Sequence, residues 1–110
     1  MKQDLDMKAQ VKQILKVVQE LAPGRSVEIR IPPYAAIQCV GGSTHRRGTP
    51  PNVVEMNAET LISLLERPED WQQFRESGAI SASGANSNLG NLFVQVSKLM
   101  NSEARSENGE

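Results

Sequence analysis

The chain has 110 residues, 38% of them hydrophobic, and its 12 basic and 13 acidic residues leave a net charge of -1. That length supports one hydrophobic core, and the balanced charge gives no field that would draw the protein onto nucleic acid or an acidic membrane. Because there is one cysteine, no signal-peptide pattern at the start and no apolar run near the ~20 residues that span a bilayer, we expect a cytoplasmic protein without disulfides or stable membrane insertion.

The first predicted element is an amphipathic helix over residues 5–21. Asp4 or Asp6 can cap its start by accepting from backbone N–H groups that lack helical partners, and Pro23 and Gly24 stop it. Its apolar residues recur at helical spacing and therefore share one side: Met7, Val11, Ile14, Val18 and Leu21.

Short strands follow this helix. Val27, Ile29 and Ile31 alternate with polar residues, which is typical of a strand with one buried face. Residues 35–40 are nearly continuously apolar, which favours a second strand near the middle of the sheet. Because a short turn joins the two, we expect an antiparallel pair. Residues 41–52 have loop composition with room for a short edge strand, and residues 53–56 predict another strand.

The remaining elements are two short helices, a strand and a final helix. Asn57 is suited to cap a helix over residues 58–66, and a second short helix over residues 69–77 ends at Gly78. Residues 79–83 predict a short strand, and residues 89–100 an amphipathic helix. We therefore predict an α+β fold with a mixed, mostly antiparallel sheet of four to five short strands covered by helices, as one domain over residues 1–100. Residues 101–110 lack an apolar period and are expected to be a disordered tail.

Residues 52–84 resemble the sterol carrier protein family. In that pattern a strand leads into a helix that ends near a basic residue, a short helix with an aromatic follows, and a strand lies between two glycines. Trp71 and Phe74 match the aromatic short helix, and Gly78 and Gly84 match the glycines. Residues 22–40 and 45–55 are similar to a compact bacterial branch of the family, so the resemblance covers residues 5–100.

The resemblance implies a five-element sheet with an apolar cavity between sheet and helices, which in some relatives accepts fatty acyl chains or sterols. Trp71 and Phe74 are expected to anchor the short helix on the sheet, and the C-terminal helix is expected to act as the lid of the pocket. Seven residues are the candidate ligand-binding set: Leu61, Leu65, Trp71, Phe74, Leu92, Phe93 and Val96. Similar domains form the C-terminal half of mycothiol-dependent isomerase-like proteins, in which a separate N-terminal domain carries the metal.

The residues that could support chemistry are few. His45, Arg46 and Arg47 form a candidate anion-contacting group, because arginine presents a planar fork of donors to carboxylates and phosphates. Cys39 lies in an apolar strand, which favours a small buried hydrophobe over a nucleophile. One histidine and one cysteine fall short of a zinc site, and the strand residues Glu28, Arg30 and Glu55 alternate outward, so we expect no catalytic residues, no metal and no cofactor.

Three functional hypotheses follow from the sequence. The first is a non-enzymatic binding module for an apolar small molecule or an acyl or lipid ligand. The second is an accessory domain or subunit of an enzyme, with an anion-contacting loop at residues 44–48. The third is a homodimeric interaction protein whose apolar C-terminal helix packs on a partner.

Overall fold

The computed structural model describes residues 2–41 and 50–107. A short 3-10 turn, Pro68–Asp70, precedes the third helix. The helices and strands, in chain order, are α1 (Lys2–Leu21), β1 (Val27–Ile31), β2 (Ala35–Cys39), β3 (Asn52–Glu55), α2 (Ala58–Glu66), α3 (Trp71–Ser77), β4 (Ser81–Ser83) and α4 (Gly90–Glu107). The four helices and the four-stranded mixed sheet of the described residues confirm the predicted α+β fold.

The sheet has the strand order β2-β1-β3-β4. The predicted antiparallel pairing of β1 with β2 is confirmed, with Ile29 opposite Ile37. β3 runs parallel to β1, with Val54 beside Ile29, and β4 returns antiparallel to β3. Among the described strands β2 lies at the edge, whereas we predicted a place near the middle of the sheet for residues 35–40. The two inner places belong to β1 and β3, and Ile31 of β1 is larger and buries more area than Ala35, its partner in β2.

One hydrophobic core lies between the inner face of the sheet and the helices. Val27, Ile29 and Ile31 of β1 have no exposed surface and point toward this core. α1 packs on β2 and on α4, and α2 packs on α4 as well. Glu28 and Arg30 lie on the opposite face of β1, and Glu55 on that of β3, as their alternation predicts. The helices therefore cover one face of the sheet.

Two local signals in the sequence act as predicted. The backbone N–H of Thr60 donates to Oδ1 of Asn57 at 2.8 Å, which caps α2. Gly78 ends α3 with φ of 87°, a left-handed conformation that residues with a Cβ adopt only at a cost. Both signals depend only on residues that are close together in the chain, and the packed structure keeps both of them.

The final helix is longer than predicted. We expected residues 101–110 to be disordered, but α4 continues to Glu107, and residues 108–110 lie outside the described part of the chain. Starting a helix is costly, but each residue added to an existing helix gains one backbone hydrogen bond and fixes only its own two dihedral angles. A helix can therefore extend beyond its apolar face. Alanine, arginine and glutamate, which residues 103–107 contain, also favour helix.

None of the helices in the described part of the chain has the length and apolar character needed to cross a membrane.

Candidate functional site

The predicted ligand-binding residues do not form one cavity. Leu61, Phe93 and Val96 have no exposed surface, and Trp71 is 4% exposed. These four side chains belong to the packed core, so they leave no space for a ligand beside them unless the helices move. Leu65, Phe74 and Leu92 are half-buried and lie on the outside of that core. The predicted set therefore divides into an interior part and a surface part.

Trp71 packs on α4, a contact that the sequence analysis did not predict. Its ring lies on that of Phe93, with the centroids 6.2 Å apart and the planes 20° from parallel. Gly90 at the start of α4 lies beside this pair, since a Cβ there would be 3.4 Å from the Trp71 side chain, close to an ordinary van der Waals contact. Nε1 of Trp71 is buried and has no hydrogen-bond partner among the described residues. The aromatic pair thus joins the short helix to the C-terminal helix.

Leu65 lines an apolar depression of about 350 Å³ between α1, α2 and α4, which we call the helix groove. The helix groove lies at the surface, where residues of the three helices meet. None of the residues that form it carries a charge: Ala9, Gln10, Gln13, Ile14, Ile62, Leu65 and Met100.

Ser97 fixes the position of α4 beside this groove. Its hydroxyl donates to the carbonyl oxygen of Leu65 at 2.6 Å, and Ser97 is only 8% exposed. A buried hydrogen bond between α4 and the last turn of α2 holds the two helices together, because breaking it would leave buried polar groups without partners. The walls of the helix groove are therefore fixed in place by the fold.

Leu92 lines a second depression, which we call the turn cleft. It has a volume of about 680 Å³ and lies between the turn after α1 and the start of α4. Its lining is more polar than that of the helix groove and includes Ser26, Asn86, Asn88 and Gln95. Backbone groups hold the turn in place, since Val40 N–H donates to the carbonyl of Ala22 at 2.7 Å and its carbonyl accepts from Ser26 N–H at 3.2 Å. The turn cleft is larger but less suited to an apolar ligand.

Asn52 is the main buried polar side chain near the turn cleft. It is 3% exposed, its Nδ2 donates to the carbonyl of Ser26 at 2.8 Å, and its Oδ1 accepts from the backbone N–H of Asn86 at 2.8 Å. Gly84 passes so close that a Cβ there would overlap Oδ1 of Asn52, and its φ of 101° also favours glycine. Asn52 therefore ties β1, β3 and the segment before α4 together, a role the sequence did not reveal.

Cys39 has the environment of a structural residue. It is fully buried, and burial raises the pKa of its thiol to about 11. With that pKa the thiol stays protonated near neutral pH. It is therefore unreactive, because the thiolate is the reactive form. Among the residues described here, no group of three or more histidine, cysteine, aspartate or glutamate side chains is placed to hold a metal. The predicted anion-contacting residues His45, Arg46 and Arg47 lie outside the described residues.

Charged groups on the open face of the sheet pair with one another. Nε of Arg30 lies 2.6 Å from Oε2 of Glu28, and Arg30 stands beside Glu55 in the β1–β3 register. The hydrogen bond and charge of Glu28 raise the pKa of the Arg30 guanidinium, and Glu55 adds to this effect. Arg30 therefore has one carboxylate as an ion-pair partner and a second in the neighbouring strand position.

The sequence did not identify the α1 side of the helix groove. Gln13 is an exposed residue of α1, and it forms a wall of the groove together with Ala9 and Gln10. An exposed alanine beside two glutamines is an ordinary helix surface, so no signal in α1 alone marks it. The groove exists because α2 and α4 place Ile62, Leu65 and Met100 next to that surface.

Comparison with protein-family models gives a match over most of the chain. Residues 3–94 match the protein-family model described as Bacterial SCP ortholog. No curated protein matches the chain. The matched range includes α1, the whole sheet, α2, α3 and the first turn of α4.

Proposed function

This chain belongs to the bacterial SCP ortholog family, which confirms its resemblance to sterol carrier proteins, and on that premise we propose that it binds an apolar small molecule or an acyl chain without catalysing a reaction. The observation that carries this proposal is the helix groove, an apolar depression whose lining holds no charged residue. Its volume of about 350 Å³ lies at the lower end of the roughly 300–1,000 Å³ typical of ligand pockets.

The helix groove suits a flexible chain better than a rigid ring system. It is an open seam between helices, and Leu65, Ile62 and Met100 are half-buried along it. Burying on the order of ten methylenes there would contribute ~8 kcal/mol before the loss of ligand freedom. The amides of Gln10 and Gln13 could hydrogen-bond a carboxylate or ester at one end. The expected dissociation constant is therefore in the micromolar range, roughly 1 to 100 µM.

Binding in the helix groove does not require α4 to open. For a ligand to reach the buried members of the predicted ligand-binding residues, Trp71 would have to separate from Phe93. The hydrogen bond between Ser97 and Leu65 would also have to break. The groove is already accessible, so a ligand can bind without that cost. This location replaces the interior pocket beneath α4 that the sequence led us to expect.

Catalysis finds no support among the described side chains. The thiol of Cys39 is fully buried and its pKa is raised to about 11. Arg30 holds Glu28 in an ion pair on the far side of the sheet from the helix groove. Neither group can reach a ligand that lies between α1, α2 and α4.

Titration with a fluorescent fatty acid tests the proposal. Ala9→Trp changes an exposed residue of the helix groove, and the matched variant Ala85→Trp changes an exposed residue of the turn cleft. We expect Ala9→Trp to weaken binding by about tenfold or more, because the indole fills the space, and Ala85→Trp to leave it unchanged. Circular dichroism checks that both variants are folded.

Two results would contradict this proposal. If Ala85→Trp weakens binding and Ala9→Trp does not, the ligand occupies the turn cleft. If the unmodified protein shows no saturable binding of acyl or sterol probes, the chain is not an apolar-ligand module.

A further inference from the structure

The helix groove has a polar wall on α1. Gln10 and Gln13 lie about one helical turn apart there, whereas the residues that α2 and α4 contribute to the lining are apolar. Both glutamines are exposed, and neither of their side-chain amides has a hydrogen-bond partner in the part of the chain that the structure describes. A carboxamide offers N–H donors and an oxygen acceptor. A ligand in the groove therefore meets free donors and free acceptors on the same side.

The lysines of α1 whose side chains the structure describes lie away from this wall. Lys12 and Lys16 line a separate depression between α1 and β2. Lys8 precedes Gln10 by two residues, which places it about 200° around the helix axis. A ligand head group that contacts Gln10 is therefore not beside any of these three cations.

The cations described on α2 and α4 do not serve the groove either. Arg67, at the C-terminal end of α2, is in an ion pair with Asp70, with Nε and Oδ2 3.6 Å apart. Lys98 precedes Met100 by two residues, so it lies about 200° around α4 from that groove residue. A carboxylate that enters the groove would lose part of its hydration without gaining a described cation in return.

Two charged side chains that continue the lining of the groove are acidic. Asp6 lies three residues before Ala9 and four before Gln10, so it extends their side of α1 by one turn. Glu66 follows Ile62 by four residues and extends its side of α2 in the same way. Both side chains are exposed, so solvent weakens their effect. The effect that remains disfavours an anion in the groove.

We propose that the helix groove selects chains whose head group is uncharged and both donates and accepts hydrogen bonds, such as a carboxamide or a hydroxyl, over chains with an ionised carboxylate. This inference rests on the proposed function and names the ligand class of the same groove. A carboxamide can donate to Oε1 of Gln10 and accept from its Nε2. A carboxylate only accepts, so it would leave Oε1 facing a negative charge.

An NMR titration of the full chain with decanamide and with decanoate tests the selection. The two ligands share one alkyl chain, so a difference in affinity reports the head group. Signals of Ala9, Leu65 and Met100 identify the groove, and the concentration dependence of their shifts gives each dissociation constant. At about pH 8 decanoate is ionised, because carboxyl groups have pKa values of about 4. We expect decanamide to bind about tenfold more tightly than decanoate.

Two pairs of variants test the cause of the selection. Gln10→Lys places a cation in the polar wall and should reverse the preference, so that decanoate binds at least as tightly as decanamide. Its matched control, Gln73→Lys, makes the same change at an exposed position of α3 outside the lining and should keep the original ratio. Asp6→Asn should narrow the ratio about twofold. Glu20→Gln removes the same charge in the last turn of α1 and should not change it.

Four results would overturn this inference. Equal affinities for decanamide and decanoate would show that the groove does not discriminate between head groups, and would leave its binding of apolar chains intact. A reversal in Gln73→Lys as large as that in Gln10→Lys would assign the effect to net charge. Tighter binding of decylammonium than of decanamide would show that the groove selects a cation. Absence of saturable shifts with every ligand would overturn the proposed function as well.

Discussion

The packed interior and the helix groove are built from the same helix but have different properties. Phe93 and Val96 of α4 have no exposed surface, whereas Met100, one helical turn beyond Val96, is half-buried and lines the groove. All three residues belong to one apolar stripe in the sequence. Their difference shows that an apolar stripe specifies which side of a helix faces inward, but not whether the facing residues fill the space.

The surface that faces α4 decides whether the space beside an apolar residue of this helix is filled or left open. Opposite Phe93 lies the indole of Trp71, which fills the interior. Opposite Met100 lies the α1 surface formed by Ala9 and Gln10, where one side chain is short and the other is polar. Atoms that line a void lose van der Waals contacts on that side. An apolar ligand that fills the helix groove would make those contacts and would be stabilised by them.

Phe93→Ala should produce the largest effect on the interior. Removing a fully buried phenyl ring leaves a cavity beside Trp71, and we expect the free energy of unfolding to fall by about 3–5 kcal/mol. Urea denaturation measures the change. The matched variant Phe74→Ala alters a half-buried ring and should cost clearly less. Equal losses in the two variants would contradict the distinction between interior and surface aromatics.

Asn52→Ala tests the polar contact that holds the interior at the other end of the sheet. The change leaves the carbonyl of Ser26 and the N–H of Asn86 without their partner, so we expect a loss of about 2–3 kcal/mol. Asn57→Ala, which removes only an exposed helix cap, should cost about 1 kcal/mol. Thermal unfolding measures both variants, and we expect the melting temperature of Asn52→Ala to be the lower of the two. A larger loss at Asn57 would mean that Asn52 is not a structural contact.

Met100→Gln should have the smallest effect on stability and still affect the ligand. The side chain is half-buried at the end of the helix groove, so the free energy of unfolding should change by less than about 1 kcal/mol. Placing an amide in the apolar wall should weaken fatty acid binding several-fold. The exposed neighbour Asn101→Gln is the control and should change neither quantity. Unaltered affinity in Met100→Gln would exclude this end of the groove from the ligand site.

Much of the fold could be predicted because its signals are local. The capping of α2 by Asn57 depends on residues three apart, and the end of α3 at Gly78 depends on one backbone conformation. The alternation in β1 identified its buried face, which the structure confirms. The length of α4 was underestimated because helix extension continues without an apolar face.

The candidate site was harder to predict because it is a junction between distant segments. Leu61, Phe93 and Val96 were chosen for the site by their apolar spacing, which is the same signal that marks the core. Ala9 and Gln10, which form the helix groove, carry no signal of their own. Only the approach of α2 and α4 to α1 gives them a common surface.

The sequence by itself determined the order and type of the elements and the inward face of each. The tertiary structure decided that β3 runs parallel to β1, that β2 lies at the edge of the described sheet, that Trp71 packs on Phe93, and that the apolar space opens between helices. The physical reason is the distance along the chain over which each interaction acts. Propensity, capping and periodicity act over a few residues, whereas strand pairing and cavity filling depend on the shapes of side chains that are far apart in the chain.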